Sequence, residues 1–542
     1  MATMPVSRTL PLLLEEQAAI DPEHEAIVGG AVRLTYEELL TQVKQTAAAL
    51  HALGIGRGDR VAILMGNRPE WLVLAYAAQY LGAIAVGLNT WATARELEYA
   101  LRHSEASLLV AAATFLRQDF RVILQSLEPL AECLPRMQQA VWIGDKPTSP
   151  SQSTLHLSYA QFRQLGEGVP AATIEALGTA VEPSDPALLV YSSGSTAAPK
   201  GILLRHDGLI ENGWYIGERQ HVVHEDRLWL AVSLFWSLGS ANAVMNLLTH
   251  RGTIVLQESF NAAEALRLID AESCSVFYGT PNMVRAISDA STPDDRRLVS
   301  LRTGATIGTP EQIKRLAALG ATAICNVYGL TETYGNCAVT DASEPLEIRS
   351  TTMGTPLPGF TVRIVDLTSG AVLPAGQVGE IRIRGRLFAG YYRDPARTAA
   401  CFDAEGFFCS GDLGLLDDAG RIVYRGRVTE MIKTGGINVA PAEVEETLAQ
   451  HPAVECAFVV ALPDAIQDEV LGAIVIARTD LTVSEETLQV FCRETLSAYK
   501  VPRIIRILAE ADLPLTTTGK VKKSELKHLF DTAAAGNPPR RS

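Results

Sequence analysis

A short apolar run, Pro186-Ala-Leu-Leu-Val-Tyr191, leads into Ser192-Ser-Gly-Ser-Thr-Ala-Ala-Pro-Lys200-Gly-Ile202. The run reads as a buried strand, and the small hydroxylic residues read as a loop at its end. Such a loop can turn several backbone N–H groups and hydroxyls toward one point, and Lys200 adds a positive charge. That chemistry suits a polyphosphate. The G-x-x-x-x-G-K-S/T spacing of a Walker loop is absent. Taken alone, the loop is equally readable as a Ser/Gly-rich surface turn.

The pattern around this loop repeats a strand-then-helix rhythm. Residues 8–22 read as an amphipathic helix, and Ala26-Ile-Val28 with Val32-Arg-Leu34 as a hairpin around Gly29-Gly30. Thr35-Tyr-Glu-Glu38 is a capping-box signature opening a helix. Arg60-Val-Ala-Ile-Leu64 is a strand, and Arg68-Pro-Glu-Trp71 begins a helix. The alternation returns through 76–115, 226–258 and 262–327, which predicts stacked α/β layers with parallel sheets. Residues 143–185 are richer in polar residues, Pro and Gly and read as a connection. After about residue 340 short strands take over: Thr361–Val365, Gly379–Arg384 and Arg421–Tyr424. From Glu443 a compact α+β unit follows, with strands Cys456–Val460 and Gly472–Ile476 and a helix over 484–496. The tail Ala533–Ser542 reads as disordered. No internal repeat is visible.

One stretch invites a transmembrane reading, because Trp71 to Ala94 carries no charge. It contains Gln79, Asn89 and Thr90, with Gly82 and Gly87 as breakers, so a buried helix running into a buried parallel strand fits better. A chain of 542 residues implies several structural units, and 47% hydrophobic residues describe a globular protein. The net charge of −14 opposes general nucleic-acid binding, which needs a basic surface. Eight scattered cysteines form no C-x-x-C pair, and Met1–Leu14 lacks the pattern of a signal peptide. Reduced thiols and a cytoplasmic location are expected.

Further motifs follow the loop in order: Tyr328-Gly-Leu-Thr-Glu332, Ser410-Gly-Asp412, Gly426-Arg427, Lys433-Thr-Gly-Gly436 and Leu515-Thr-Thr-Thr-Gly-Lys520. Together with the Ser192–Lys200 loop, this ordered set resembles the adenylate-forming superfamily, which includes acyl-CoA synthetases, adenylation domains of peptide synthetases and luciferases. The resemblance spans roughly residues 10–530. It implies an α/β fold: a large N-terminal domain over 1–428, with a β-rich subdomain at about 341–428, and a small mobile α+β domain over 429–542. The family's hinge follows the Gly-Arg pair and falls here on Thr429, where relatives usually carry Asp or Lys.

The chemistry of such enzymes sets what the motifs must do. A carboxylate is a poor electrophile, and joining it to the α-phosphate of ATP makes a mixed anhydride and releases pyrophosphate. The substrate carboxylate is itself the nucleophile, so the protein must position two anions and neutralise their charge. The resemblance implies that Lys520 reaches carboxylate and α-phosphate, as the leading catalytic residue. A carboxylate oxygen suits Mg²⁺ bridging to phosphates, and the resemblance gives Glu332 that metal, Thr331 a phosphate and Tyr328 the adenine, with Gly329 between. It gives Asp412 both ribose hydroxyls and Arg427 the ribose or phosphate. The resemblance makes Ser192, Ser193, Gly194, Ser195, Thr196 and Lys200 the phosphate cradle, with Thr196 also catalytic, and sets Gly304 and Ala305 at the border of the nucleotide. Ala197 departs from the family's usual Gly and restricts positive φ. The resemblance also implies that Lys433, Gly435 and Gly436 line the route for coenzyme A; paired glycines permit close backbone approach. ATP, Mg²⁺ and coenzyme A are the implied cofactors.

For each residue a plain reading stands beside this one: a solvated lysine for Lys520, a capping Thr331, a Gly-Asp turn at 412, a surface ion pair for Arg427. Two acceptors are open, coenzyme A or a separate carrier protein. Amino-acid adenylation domains usually show an Asp near the segment matching Ser233-Leu-Phe-Trp-Ser-Leu-Gly239, and none occurs there. No carrier domain follows Lys520 in the sequence, so a free-standing acid:CoA ligase is favoured. A luciferase-like oxygenase would share the same motifs. A non-catalytic binder would share the fold, but intact Glu332, Asp412 and Lys520 oppose it. The family's acyl pocket maps onto Phe235, Trp236, Leu238, Tyr278, Ala305 and Tyr334. A bulky aromatic wall predicts an aromatic, alicyclic or medium-chain acid. Arg285 is either a helix-surface residue or a pocket cation for a second carboxylate. Expected partners are the small-molecule acid and coenzyme A, without nucleic acid or integral membrane association; a homodimer is left open.

Overall fold

The computed structural model describes residues 3–127, 136–137, 139–147, 155–192, 199–292, 295–434, 437–439, 441–464, 468–478, 481–496, 500–515 and 521–531. Two compact units emerge from it. The first is Met1–Thr361 with Arg384–Phe408, and the second is Val362–Ile383 with Cys409–Ser542.

Two largely parallel sheets organise the first unit. Among the described residues one runs, in spatial order, Gly390–Tyr391, Lys200–Arg205, Pro186–Ser192, Ile84–Gly87, Arg60–Leu64, Leu108–Ala112, Gln139–Ile143 and Leu155–Ser158. The strands from Pro186–Ser192 onward are parallel, and the first two are an antiparallel edge. The other runs Thr355–Pro356, Ala338–Val339, Cys325–Tyr328, Thr303–Thr306, Val276–Gly279, Arg227–Leu230, Thr253–Leu256, Glu25–Gly29 and Val32–Thr35. Strands buried on both faces read as continuous apolar runs, and Arg60–Leu64 and Leu108–Ala112 are buried at every position.

The uncharged stretch resolves as a buried helix and a strand. Pro69–Tyr80 is buried along nearly its whole length, and Ile84–Gly87 pairs in parallel with both Arg60–Leu64 and Pro186–Ser192. Among the described residues no helix is long and apolar enough to cross a membrane. The capping box at Thr35 forms as expected: its hydroxyl accepts from Glu38 N–H while the Glu38 carboxylate accepts from Thr35 N–H.

The stretch 143–185 departs from the expected connection. It holds the sheet strand Leu155–Ser158 and helices Tyr159–Leu165 and Ala171–Thr179. The signal was another capping box, Ser158 with Gln161, ahead of the buried Phe162. Gly178 then lets its helix close on Tyr80, whose ring would stand 2.3 Å from a Cβ there.

In the second unit four strands, Phe360–Val365, Gly379–Gly385, Phe408–Leu416 and Ile422–Arg427, make one sheet, the last two antiparallel. A further sheet is built on the hairpin Val454–Asp464 with Asp468–Ala477, flanked by Ile432–Thr434, Ile437–Val439 and Ile504–Leu508. Helices Pro441–Ala449 and Glu485–Thr495 accompany it, and Val444, Leu448, Val475 and Leu488 are fully enclosed in one apolar cluster. The 533–542 tail lies outside the described residues. All described cysteines are free thiols, and burial pushes Cys274 and Cys325 up to about 12 and Cys492 up to about 11.

Candidate active site

The Ser/Gly loop is held by the two strands it connects. Ser192 pairs directly with Lys200 at the end of an antiparallel ladder. Ser193, Gly194, Ser195, Thr196 and Ala197 lie outside the described residues. Helix Ala94–Ser104 pins both stems. The Tyr191 hydroxyl donates to Ala100 O at 3.1 Å, and the Tyr99 hydroxyl donates to Pro199 O at 3.0 Å. His103 stacks on Tyr99, with Nδ1 3.0 Å from Tyr191 Oη, and burial pushes its pKa below the usual imidazole value. The sequence reading missed this clamp, because helix periodicity alone does not say which strand a helix covers.

A second group gathers at the ends of Thr303–Thr306 and Cys325–Tyr328. Gly304 sits at φ +129°, and a Cβ there would stand 2.0 Å from Phe277 O, so glycine is required. Ala305 is buried beside it. Tyr328 ends its strand, and Gly329 permits a backbone crossing in which a Cβ would meet Gly335 O at 2.4 Å. The chain then makes one tight helical turn, Thr331–Thr333, stapled by Leu330 N–H donating to Thr333 Oγ1 at 3.0 Å. Glu332 lies in this turn and is buried. Its carbonyl accepts from Phe388 N–H at 2.9 Å, and its Oε1 accepts from the Tyr391 hydroxyl at 2.8 Å.

Among the described residues Glu332 is paired with no cation, and no group of three or more His, Cys, Asp or Glu side chains could hold a metal unaided. That arrangement fits Mg²⁺, which is commonly held by one or two carboxylates plus phosphate oxygens rather than by an all-protein cage.

The aromatic wall lies beside this turn. Thr331 Oγ1 is 3.1 Å from Ser237 Oγ, which ties Thr331 to the Ser233–Gly239 segment. Phe235 and Trp236 meet edge-on at 5.2 Å, and Trp91 packs on both at 5.4 and 5.3 Å. Trp91 was not singled out in the sequence; it lies at the end of the uncharged stretch, where only its size marks it. Leu238 is half-buried and begins a π-helical turn, Leu238–Ala243, a feature frequent at functional sites.

Tyr278 and Tyr334, expected on the acyl wall, lie in the interior of the first unit. Both are fully enclosed. The Tyr278 hydroxyl accepts from Gln220 Nε2 at 2.8 Å. Tyr334 stands at φ +57°, its ring against Gly208 and its hydroxyl accepting from Arg205 N–H at 3.3 Å. Arg285 is a helix-surface residue, with Nε 3.7 Å from Asp289 one turn on.

In the second unit Asp412 and Arg427 are direct cross-strand partners. Asp412 is buried, and Arg427 Nε lies 2.7 Å from its Oδ1. Ser410 Oγ accepts from Asp412 N–H at 3.0 Å and itself donates to Ile381 O. Gly426 takes φ +120° just before Arg427. Lys433 is on the short strand Ile432–Thr434, opposite Asn438. Gly435, Gly436 and Lys520 lie outside the described residues, as do the side chains of Thr429 and Lys433.

Comparison with known proteins agrees with these motifs. Residues 14–392 match the family described as AMP-binding enzyme, and residues 443–520 match the AMP-binding enzyme C-terminal domain. The chain is 32% identical over 540 residues to the acyl-CoA ligase sidI of Aspergillus fumigatus, covering 96% of this chain and 91% of that one. It is 31% identical over 524 residues to a Rhodococcus jostii 3-(7a-methyl-1,5-dioxo-octahydro-1H-inden-4-yl)propanoyl:CoA ligase, covering 96% and 98%. The crystal structure of the anthranilate CoA ligase AuaEII in complex with anthranoyl-AMP superposes with a TM-score of 0.82 at 26% identity, covering 98% and 99%. With both family segments present in order, the chain belongs to the AMP-binding, adenylate-forming enzyme family and is an AMP-forming acid–thiol ligase of the acyl-CoA synthetase type.

Proposed function

We propose that this enzyme activates a hydrophobic carboxylic acid, whether aromatic, alicyclic or of medium chain length, with ATP to acyl-AMP and pyrophosphate. Coenzyme A then takes the acyl group and AMP leaves. The Thr331–Ser237 contact carries the reading, because it sets the Phe235–Trp236–Trp91 wall against the turn that bears Glu332. An apolar acid lying on that wall has its carboxylate directed to the turn, where charge is handled. The ring-bearing acids named for the Rhodococcus ligase and AuaEII support a hydrophobic substrate.

The site residues take these parts. Glu332 would hold Mg²⁺, which would draw charge from the phosphate oxygens. Thr331, Lys200 and the 192–196 loop take the phosphates, and Tyr328, Gly304 and Ala305 border the base. Asp412, its charge balanced by Arg427, accepts from the ribose hydroxyls. Lys520 brings its ammonium to the carboxylate and α-phosphate as they join, which lowers the repulsion between two anions. The segment 429–542 moves about Thr429 between the two half-reactions, and Lys433, Gly435 and Gly436 serve the thiol step. The reduced thiols suit a cytoplasmic enzyme.

Separate assay of the half-reactions tests this division. Lys520→Ala should abolish pyrophosphate release and spare thioester formation from pre-made acyl-AMP. Equal loss in both halves would overturn it. Replacing coenzyme A with a phosphopantetheinylated carrier protein should give no acyl transfer; efficient loading would move the acceptor to a carrier.

A further inference from the structure

Glu332 is held by a residue that no motif singled out. Tyr391 occupies the two-residue strand Gly390–Tyr391, which pairs with Lys200–Arg205 in the register Ile202 to Tyr391 and Leu203 to Gly390. Ala389 N–H donates to Leu203 O and Tyr392 N–H to Gly201 O, both at 2.8 Å. Tyr391 N–H donates to Thr398 Oγ1 at 2.9 Å, so its backbone is fixed on both sides. The ring packs edge-on to Phe388 at 4.9 Å, with Lys200 Nζ 5.3 Å and Arg397 5.8 Å from its centroid. Its hydroxyl donates to Glu332 Oε1 at 2.8 Å, inside the protein. A phenol is protonated at neutral pH, so it remains a donor.

A carboxylate with one oxygen fixed by a neutral donor has its plane set and its other oxygen directed. Outer partners of this kind orient a metal ligand without neutralising it. A cation in the same place would compete with the metal; a phenol does not. The strand that carries Tyr391 also borders Lys200, the first residue of the strand that leaves the phosphate loop. One ring therefore touches both the carboxylate and the lysine.

We infer that Tyr391 is the positioning residue for Glu332: it orients the carboxylate for Mg²⁺ and ties its position to the Lys200 stem of the phosphate loop. This rests on the reading of Glu332 as the metal carboxylate. Mn²⁺ binding to the full-length protein with α,β-methylene-ATP, followed by electron paramagnetic resonance of the free ion, tests it. Tyr391→Phe keeps the ring and removes the hydroxyl, and should raise the Mn²⁺ half-saturation about tenfold. Affinity for the metal-free nucleotide should stay unchanged. In a Glu332→Gln background the same change should add less than about twofold, since both act on one interaction. If Glu332→Gln weakens Mn²⁺ and Tyr391→Phe does not, the role of Tyr391 is wrong and the metal reading stands. If Glu332→Gln leaves Mn²⁺ unchanged, the metal reading fails and the inference with it. Equal losses of metal-free nucleotide and Mn²⁺ in Tyr391→Phe would also overturn it, by marking Tyr391 as general scaffolding.

Discussion

Each compact unit buries one carboxylate that the motifs single out, and the two are treated in opposite ways. Glu332 is 6% exposed and Asp412 2%, so burial does not distinguish them. Glu332 receives a neutral phenol and, among the described residues, no cation. Asp412 receives Arg427 across the ladder at 2.7 Å. A buried carboxylate without a cation is costly until one arrives. A carboxylate already balanced by arginine gains little from a metal but still accepts hydrogen bonds from neutral hydroxyls. The contrast fits the parts proposed for them, the first for a cation and the second for a sugar.

The comparison breaks most sharply under paired substitution. Glu332→Gln should lower Mg²⁺-dependent pyrophosphate release on the order of 10²-fold or more, as expected for lost electrostatic stabilisation of a phosphoryl centre. Metal-free nucleotide binding, read by titration calorimetry, should change little. Asp412→Asn should do the reverse and weaken nucleotide binding by roughly 10- to 100-fold, about 1.5–3 kcal/mol for a lost charged hydrogen bond, with an unaltered Mg²⁺ midpoint. Identical profiles for the two variants would erase the distinction.

A smaller effect separates the aromatic wall from the rest. Trp91→Ala removes the ring that packs on both Phe235 and Trp236. It should shift kcat/KM between a short and a bulky acid by about tenfold, the range one pocket group supplies, with the KM for ATP unchanged. An unchanged acid preference would place Trp91 in the scaffold only.

The smallest effect is on stability and concerns the first unit alone. His206 is buried, its Nδ1 accepts from Leu10 N–H, and burial lowers its pKa to about 4. The unfolded chain binds a proton near the ordinary imidazole value of 6.5, and the folded chain only near 4. Acid therefore favours unfolding across that window, and the stability lost as pH falls from 6.5 to 4 reaches roughly 3 kcal/mol. His206→Gln, which retains an acceptor, should flatten that slope in thermal melts; an unaltered slope would mean that other groups govern it.

The strands and the motif order were legible because their signals are local. Arg60–Leu64 and Pro186–Ser192 are apolar runs with clear ends, and Thr35-Tyr-Glu-Glu38 names its own cap. Glu332 and Asp412 were singled out because each lies in a short motif. What escaped depends on contacts between distant segments. Tyr391 reaches Glu332 across 59 positions, and Tyr99 reaches Pro199 across 100. The enclosure of Tyr278 and Tyr334 was not legible for a related reason: a motif gives a residue's place along the chain but not the side of the strand on which its ring packs. The helices within 143–185 were missed because Pro and Gly drew more weight than the Ser158–Gln161 cap.

The most direct test is pyrophosphate release by the full-length enzyme with ATP and Mg²⁺ across fatty, benzoic, phenylalkanoic and dicarboxylic acids, run with and without coenzyme A. Hydrophobic monocarboxylic acids should give acyl-AMP and pyrophosphate without coenzyme A, and a thioester with AMP once it is supplied. Release with dicarboxylic acids alone, or with no acid at all, would contradict the account.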